Sequence, residues 1–328
     1  MTLPRIYTDL AQVAPRPRVI TIGTFDGVHR GHQALLGRAV ARARELGVPA
    51  MALTFEPAPA AVLRPDKYAG RICTQDDKVA QLAAAGVDEI LIMAFTIPLS
   101  RQTPEEFLSR VVDIGLVELW VGEAFALGKD RAGNVPRLRE IGESLGFRVV
   151  AVPRLTNGDQ VISSSAIRTA ILEGDVARAH RLLGRPFRVH GEVIHGAHLG
   201  RAIGYPTANF FPPPELVPLP DGIYASFAML PGDRDPRPGM TYVGTRPTVN
   251  SGARQVETHI FDFDGDLYGL TIRVDVIERL RGDAKFENLD ALIEQLRKDE
   301  EAARAVLRLE PRDFARASDD RAPGARGN

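Results

Sequence analysis

An apolar run at residues 19–22 opens into Gly23-Thr24-Phe25-Asp26-Gly27-Val28-His29-Arg30-Gly31-His32-Gln33, after which a helical pattern begins. This string can bind an anion. Gly23 and Gly27 let the main chain approach a ligand with no Cβ in the way, and Gly31 and His32 open a helix whose free N–H groups and dipole favour phosphate. Imidazoles at i and i+3, His29 and His32, can both donate to phosphoryl oxygens and offset charge developing on a transferring phosphorus. A metal pair, or two ordinary capping histidines, are the other readings of the same residues. The lack of a third His or a Cys nearby in sequence weighs against zinc.

A second phosphate-type element is Ile162-Ser163-Ser164-Ser165-Ala166-Ile167-Arg168. Serine hydroxyls at a helix start, with Arg168 one turn in, offer neutral donors and one guanidinium fork; a plain N-cap is the alternative. In the other half, the stretch from Gly196 through Gly200 and Gly204 to Tyr205-Pro206-Thr207-Ala208-Asn209-Phe210 spaces its glycines every fourth position. That spacing is poor in a helix and useful in a loop that wraps phosphate with backbone N–H groups. Pro206 stiffens the exit, and Thr207 and Asn209 share a side if the chain there is extended. Two neutral oxygens on one side suit a magnesium ion also held by nucleotide phosphates, the alternative being a turn and a polar edge strand. Val256-Glu257-Thr258-His259-Ile260 alternates, so Glu257 and His259 share a face. A carboxylate on a rigid strand suits a general base for a substrate hydroxyl; a solvated strand residue is the plainer reading.

Two look-alikes fail on spacing. Between Gly122 and Gly128 lie five residues where a P-loop has four, and Asp130 follows Lys129 where Ser or Thr is required. Asp262, Asp264 and Asp266 imitate a calcium loop, but Leu267 stands where its glycine belongs and Arg273 where its bidentate Glu belongs.

These residues need rigid platforms. In the first half, apolar runs at 19–22, 50–55, 89–94, 117–121 and 148–152 alternate with helical patterns at 33–46, 75–85, 104–112 and 135–145. Gly47, Gly86 and Gly146 close three of those helices. Strand alternating with helix predicts a parallel, doubly wound α/β sheet, whose ligands sit beyond the carboxyl ends of the strands. The segment after Ile22 is so placed. From about Phe187 the period becomes two, and 188–194, 223–229, 255–263 and 267–277 read as antiparallel strands. Asp264-Gly265 reads as a hairpin turn, and 212–220 and 231–238 read as proline-rich loops. A final helix at 289–307 would pack Leu289, Leu292, Ile293 and Leu296 against a small β-barrel. The division read from these patterns is 1–184, 185–310 and a flexible tail 311–328.

The chain's 328 residues fit two domains, and 44% apolar content with 25% charged residues excludes a disordered chain. Lys plus Arg at 41 against Asp plus Glu at 42 leaves no global field for polyanions, and Trp120 is the sole tryptophan, so nucleic acid is not an expected partner. Cys73 is the single cysteine, which excludes an intrachain disulfide. No apolar run approaches the roughly 20 residues of a membrane span. A soluble cytoplasmic protein is expected.

Taken together, the motifs carry a resemblance. H-x-G-H after a strand, with I-S-S-S-A-I-R, resembles the nucleotidylyltransferase superfamily, and the fuller G-T-F-D-G-V-H-R-G-H-Q is similar to its FMN adenylyltransferases. G-R-x-I-G-Y-P-T-A-N with V-E-T-H-I resembles riboflavin kinases, and the order on one chain resembles bifunctional bacterial FAD synthetases. The resemblance implies a Rossmann-like α/β adenylyltransferase domain followed by a mainly antiparallel, six-stranded riboflavin kinase barrel with a C-terminal helix, both using ATP and magnesium. It implies riboflavin, FMN and FAD as substrates and products. By motif, Thr207 and Asn209 would hold magnesium, Gly196, Gly200 and Gly204 would line the kinase ATP, and Glu257 would be the base. Arg281 and Phe286 would lie near the flavin. In the first domain His29, His32 and Arg168 would stabilise the transition state, with Gly23, Phe25, Asp26, Gly27, Gly31, Ser163, Ser164 and Ser165 at ATP. Two positions depart from the pattern: Ala58 replaces a histidine in T-F-E-P-A-P, and Ala124 a polar ligand in V-G-E-A-F. Each lost contact would cost about 1–3 kcal/mol. A chain that keeps only the kinase, or a non-catalytic flavin-binding regulator, are the competing readings.

Overall fold

A computed structural model of the chain describes residues 3–196, 200, 203–245 and 254–313. Contacts divide it into two units, Met1–Ala166 and Ile167–Asn328.

In the first unit, strands β1 (Arg5–Tyr7), β2 (Arg18–Ile22), β3 (Ala50–Glu56), β4 (Glu89–Ala94) and β5 (Leu116–Gly122) are followed by a short hairpin, β6 (Ala126–Leu127) with β7 (Gly133–Asn134). Then come β8 (Arg148–Val152) and a second hairpin, β9 (Thr156–Asn157) with β10 (Gln160–Val161). The sheet order is β1-β4-β3-β2-β5-β8, with every neighbouring pair parallel. From β2 the chain moves to β3 and β4 on one side and to β5 and β8 on the other. The carboxyl end of β2 is therefore the switch point where such sheets open a crevice, and the His29 turn leaves from it.

Helices α1 (Arg30–Leu46), α2 (Pro59–Leu63), α3 (Gln75–Ala84), α4 (Ile97–Ser100), α5 (Pro104–Asp113) and α6 (Val135–Leu145) connect the strands. Every residue of β2 is buried, because each face has its own core. Ile20, Ile22, Leu53 and Leu119 pack with Phe107, Leu108 and Leu138 of α5 and α6. Ala52 and Ile90 pack with Leu36 and Leu82 of α1 and α3. Gly47 (φ 65°) and Gly146 (φ 79°) end α1 and α6 in the left-handed region, as their positions in the sequence require. The edge strand Arg5–Tyr7 was not anticipated, since three residues carry no readable period.

At the amino ends of the strands, Glu89 accepts from Arg18 Nε at 2.6 Å and from Arg16 Nη2 at 2.5 Å. Arg18 and Glu89 are both 1% exposed. Burial alone would raise the Glu89 carboxyl, but hydrogen bonds from Arg18 and Arg16 outweigh it and hold it below the ordinary range. Glu89→Gln leaves Arg18 charged in a dry site, with an expected destabilisation of about 3–5 kcal/mol, read from chemical denaturation. A depressed carboxyl contributes stability that is present above its unfolded value of about 4.3 and is lost as pH falls through the native value. The difference between wild type and Glu89→Gln therefore narrows in acid.

Helices α7 (Ser164–Glu173) and α8 (Val176–Leu183) lead to the second unit's sheet. Its strands are β11 (Phe187–Glu192), β12 (Ala208–Phe210), β13 (Gly222–Met229), β14 (Arg237–Thr245), β15 (Arg254–Ile260) and β16 (Thr271–Gly282), in the order β11-β16-β13-β14-β15-β12 and antiparallel throughout. A bridge from Ile194 to Asn209 ties the two edges together, so the sheet is a nearly closed six-stranded barrel. The helix Leu289–Asp313 covers it, with Leu296, Ala303 and Leu307 against Ile223, Ala225 and Ile277.

Four expectations are corrected here. Residues 231–238 are not all loop, because β14 begins at Arg237 and pairs Pro238 with Phe227. Asp264-Gly265 is not a hairpin turn, because β15 pairs with β14 and β12 whereas β16 pairs with β11 and β13. Leu289 is 56% exposed and does not join the helix's packed face. That helix runs to Asp313, into the stretch read as tail, of which residues 314–328 lie outside the described residues.

Candidate active sites

Beyond β2 the chain makes a tight turn whose strain is confined to a few residues. Phe25 (φ 47°), Gly27 (φ 76°) and Val28 (φ 37°) are all left-handed, and Phe25 and Val28 are buried. Such a backbone costs of order 1–3 kcal/mol per non-glycine residue and persists only where its surroundings impose it. Asp26 supplies part of that support. Its carboxylate accepts from Ile72 N at 2.9 Å, and its carbonyl accepts from Ser164 Oγ at 3.0 Å. The turn's one carboxylate therefore braces the loop.

His29 is the N-cap of α1, its Nδ1 accepting from His32 N at 3.3 Å. Because Nδ1 accepts there, the ring's proton sits on Nε2. The rings of His29 and His32 stack with centroids 3.6 Å apart, and Phe25 meets His32 edge-on at 5.2 Å. Burial, then repulsion from His29, holds the His32 imidazole well below its ordinary range. Its Nδ1 is buried with no hydrogen-bond partner among the described residues. Two cationic rings could not stack this way, so the pair meets a ligand with at least one ring neutral. A lowered histidine favours the native state above its unfolded value and disfavours it below. Wild-type stability should thus fall more steeply than that of His32→Gln between about pH 7 and 5, as measured by thermal melts.

A Cβ on Gly31 would lie 3.2 Å from the His29 ring and 3.8 Å from the Ile162 carbonyl, so the two sequence motifs meet at this glycine. A Cβ on Gly23 would lie 3.1 Å from the Phe25 ring. Ser163 Oγ accepts from Ala166 N at 3.2 Å and so caps α7, while Ser165 is exposed. Arg168 follows on the same helix, in the second unit.

One part of this end of the sheet was not read from the sequence. Lys78 of α3, 3% exposed, points Nζ at Thr54 Oγ1 (3.4 Å), the Phe55 carbonyl (3.3 Å) and Glu56 Oε2 (3.7 Å). Thr54 Oγ1 in turn donates to the Thr24 carbonyl at 3.1 Å, and Arg71 pairs with Glu56 at 2.8 Å. Desolvation, then Arg71, lowers the Lys78 ammonium. The available signal was spacing: Lys78 lies one turn before Leu82, on the helix's inward stripe. Ala58 caps α2 with no side-chain hydrogen bond, and Ala124 is exposed, its carbonyl accepting from Arg131 Nη2 at 3.4 Å. Glu123 beside it pairs with Arg154 at 3.7 Å.

In the second unit, Asn209 Nδ2 donates to the Thr207 carbonyl (3.0 Å) and Oγ1 (3.1 Å), so the two side chains do share a side. Asn209 stands opposite Glu257 in the register of β12 and β15. The glycines close around this group. A Cβ on Gly196 would lie 2.8 Å from Asn209 Nδ2, and one on Gly200 would lie 2.2 Å from the Tyr205 carbonyl and 3.6 Å from Thr207 Oγ1. Gly204 is left-handed (φ 84°). Residues 197–199, 201, 202 and 246–253 lie outside the described residues. Arg281 and Phe286 are neighbours, with the guanidinium 5.7 Å from the ring centre. That guanidinium makes a two-pronged pair with Asp299, 4% exposed, at 2.7 to 3.0 Å, an anchor for the C-terminal helix.

Comparisons with known proteins fit both halves. The FAD synthetase family model matches residues 11–166, and the riboflavin kinase model matches 183–307. A bifunctional riboflavin kinase/FMN adenylyltransferase of Escherichia coli K12 is 37% identical over 311 residues, covering 94% of this chain and 99% of its own. The chain belongs to this family. Its relative of the same description from Pseudomonas fluorescens is 39% identical, covering 88% of this chain and 92% of its own. The crystal structure of a Streptococcus pneumoniae protein described as a macrolide-efflux protein superposes with a TM-score of 0.84 at 30% identity, over 92% of this chain and 99% of that one. Among the described residues of this family member, no helix is long and apolar enough to cross a membrane.

Proposed function

We propose that the second unit phosphorylates riboflavin with ATP to give FMN and ADP, and that the first transfers AMP from a second ATP to FMN, giving FAD and pyrophosphate. The observation that carries this reading is the occurrence of both family matches on one chain, each containing its own phosphate-type motif. The domain limits proposed are 1–184 and 185–310, with α8 ending at Gly184, whereas contacts alone divide the chain between Ala166 and Ile167.

In the kinase step Glu257 takes the proton of the ribityl 5′-hydroxyl as that oxygen bonds to the γ-phosphorus. The γ-phosphorus then parts from the bridging oxygen, which leaves with ADP. Thr207 and Asn209 supply hard oxygens suited to magnesium, and the glycines next to them leave these side chains uncovered, a Cβ on Gly196 falling 2.8 Å from Asn209 Nδ2 and one on Gly200 3.6 Å from Thr207 Oγ1, so the residues fit such an ion. Magnesium, when bound, neutralises charge on the nucleotide phosphates. Gly196, Gly200 and Gly204 line those phosphates, and Phe286 with the stem of Arg281 lies toward the flavin.

In the adenylyl step an FMN phosphate oxygen bonds to the α-phosphorus of ATP, and the bond to the bridging oxygen breaks. His29 and His32 donate to oxygens of the reacting phosphates, and an acceptor there also satisfies the buried Nδ1 of His32. Main chain at Gly23, Phe25, Gly27 and Gly31 lies against ATP, with Asp26 bracing that turn. The Ser163-Ser164-Ser165 helix start and Arg168 hold the departing pyrophosphate.

Incubation with riboflavin, excess ATP and magnesium should show FMN rising first and FAD following. FMN that accumulates without FAD would overturn the adenylyltransferase half. Flavin binding with no ATP turnover would overturn both.

A further inference from the structure

The strand that carries Glu257 carries a second polar residue two positions on. His259 Nδ1 lies 2.8 Å from the Pro206 carbonyl oxygen. A carbonyl only accepts, so Nδ1 is the protonated nitrogen and the ring donates. Pro206 is the residue immediately before Thr207, and it has no N–H of its own with which to tie this turn down.

The other ties on this segment flank that residue, at Tyr205 before it and at Thr207 after it. Tyr205 N donates to the Gly200 carbonyl at 2.8 Å, and the Tyr205 ring packs with Leu296 and Ala303 of the C-terminal helix. The His259 ring also meets Tyr205 edge-on at 5.2 Å and Phe261 at 5.8 Å. Among the described residues, the bond from His259 holds the Pro206 carbonyl end of the peptide that leads to Thr207, and Asn209 Nδ2 holds Thr207 from the other side. Rotation of that peptide would turn Thr207 Oγ1 away from Asn209 Nδ2, now 3.1 Å from it.

We propose that His259 is a positioning residue for the kinase metal site: by donating to the Pro206 carbonyl it holds Thr207 and Asn209 with their side chains on one side, toward a divalent cation on the nucleotide. This rests on the kinase reading of that site. Glu257 and His259 then divide the half-buried face of β15 between them. Glu257 serves the substrate hydroxyl, and His259 the turn opposite.

Packing and hydrogen bonding can be separated by two substitutions. His259→Phe keeps an aromatic edge for Tyr205 and Phe261 and removes the donor, whereas His259→Asn keeps an N–H near the position of Nδ1. Losing one such bond is worth about a factor of ten. In His259→Phe the magnesium concentration for half-maximal FMN formation should rise about tenfold while kcat at saturating magnesium changes less than about twofold. His259→Asn should stay within about threefold of wild type. Calorimetric titration of flavin-free protein with Mg·ADP should show the same weakening of kinase-unit binding. Chemical denaturation of the same preparation reports whether the second unit has folded.

Wild-type magnesium and Mg·ADP dependence in His259→Phe would overturn the proposal, provided Asn209→Ala shifts both. If Asn209→Ala shifts neither, the metal reading itself fails. Should His259→Phe not fold, imidazole 15N shifts of the wild-type protein decide the point. A protonated Nδ1 that is perturbed by Mn·ADP supports the clamp, and a bare Nδ1 overturns it.

Discussion

Glu257→Gln is expected to slow riboflavin phosphorylation by about 10²–10⁴-fold, the usual worth of a positioned general base, and to leave FAD formation from FMN unchanged. The side chain is placed by two ladders, since Glu257 stands opposite Asn209 of β12 and Tyr242 of β14. A position paired on both sides is rigid, and a base on such a platform loses little entropy in finding its substrate. Glutamine keeps the volume and an amide oxygen, so ATP and riboflavin binding should survive and the loss should appear in kcat. Initial rates of FMN formation at saturating substrates test this directly. A fall of less than about tenfold would remove the proton-transfer role and leave Glu257 as an ordinary polar strand residue.

The parallel sheet was legible because its strands are buried on both faces and read as unbroken apolar runs. Glu89–Ala94 and Arg148–Val152 fall where the sequence placed them, and Val135–Leu145 is bounded by Asn134 and Gly146, which cap it. The barrel was harder, for two reasons. Pro238 at the start of β14 looks like a breaker, yet a proline at a strand's first positions forfeits little of the ladder. Asp264-Gly265 looks like a turn between neighbours, but β15 and β16 are separated in the sheet by β14 and β13. Nothing local distinguishes a hairpin from a crossover of similar length.

The same division holds for the sites. Short-range geometry was readable: a glycine in a helix's first turn, two imidazoles one turn apart, and Thr207 and Asn209 on one side of the chain where β12 begins. Long-range roles were not. Asp26, read as a ligand contact, also braces the turn through Oδ1, which accepts from Ile72 N, 46 positions away. Arg281 is anchored by Asp299 on the covering helix. Lys78 was passed over because a helical lysine is ordinarily solvated, and Thr54, the Phe55 carbonyl and Glu56 across the sheet end make its burial tolerable. Those three cases share a cause: an ionised group's role is set by its partner, and the partner is chosen by the fold.

His29→Asn is expected to reduce FAD formation by about 10²–10³-fold, the effect of losing one donor to charge developing in a transition state, with FMN formation unchanged. Asparagine is the informative replacement, since His29 also caps α1 through Nδ1. His29→Ala removes the cap as well, at about 1 kcal/mol, and confounds the two roles. Asparagine is among the best N-caps, so it can accept from His32 N while withdrawing the Nε2–H group. If the imidazole matters only as a cap, His29→Asn will make FAD at the wild-type rate. If it donates to the reacting phosphates, melting temperature will hold and FAD formation will fall. The rate should also fall in kcat more than in the KM for ATP, because the donor's partner gains charge only as the α-phosphorus bond to pyrophosphate breaks. The stacked His32, neutral and without the neighbour that shares its load, cannot replace it from one turn further along the helix.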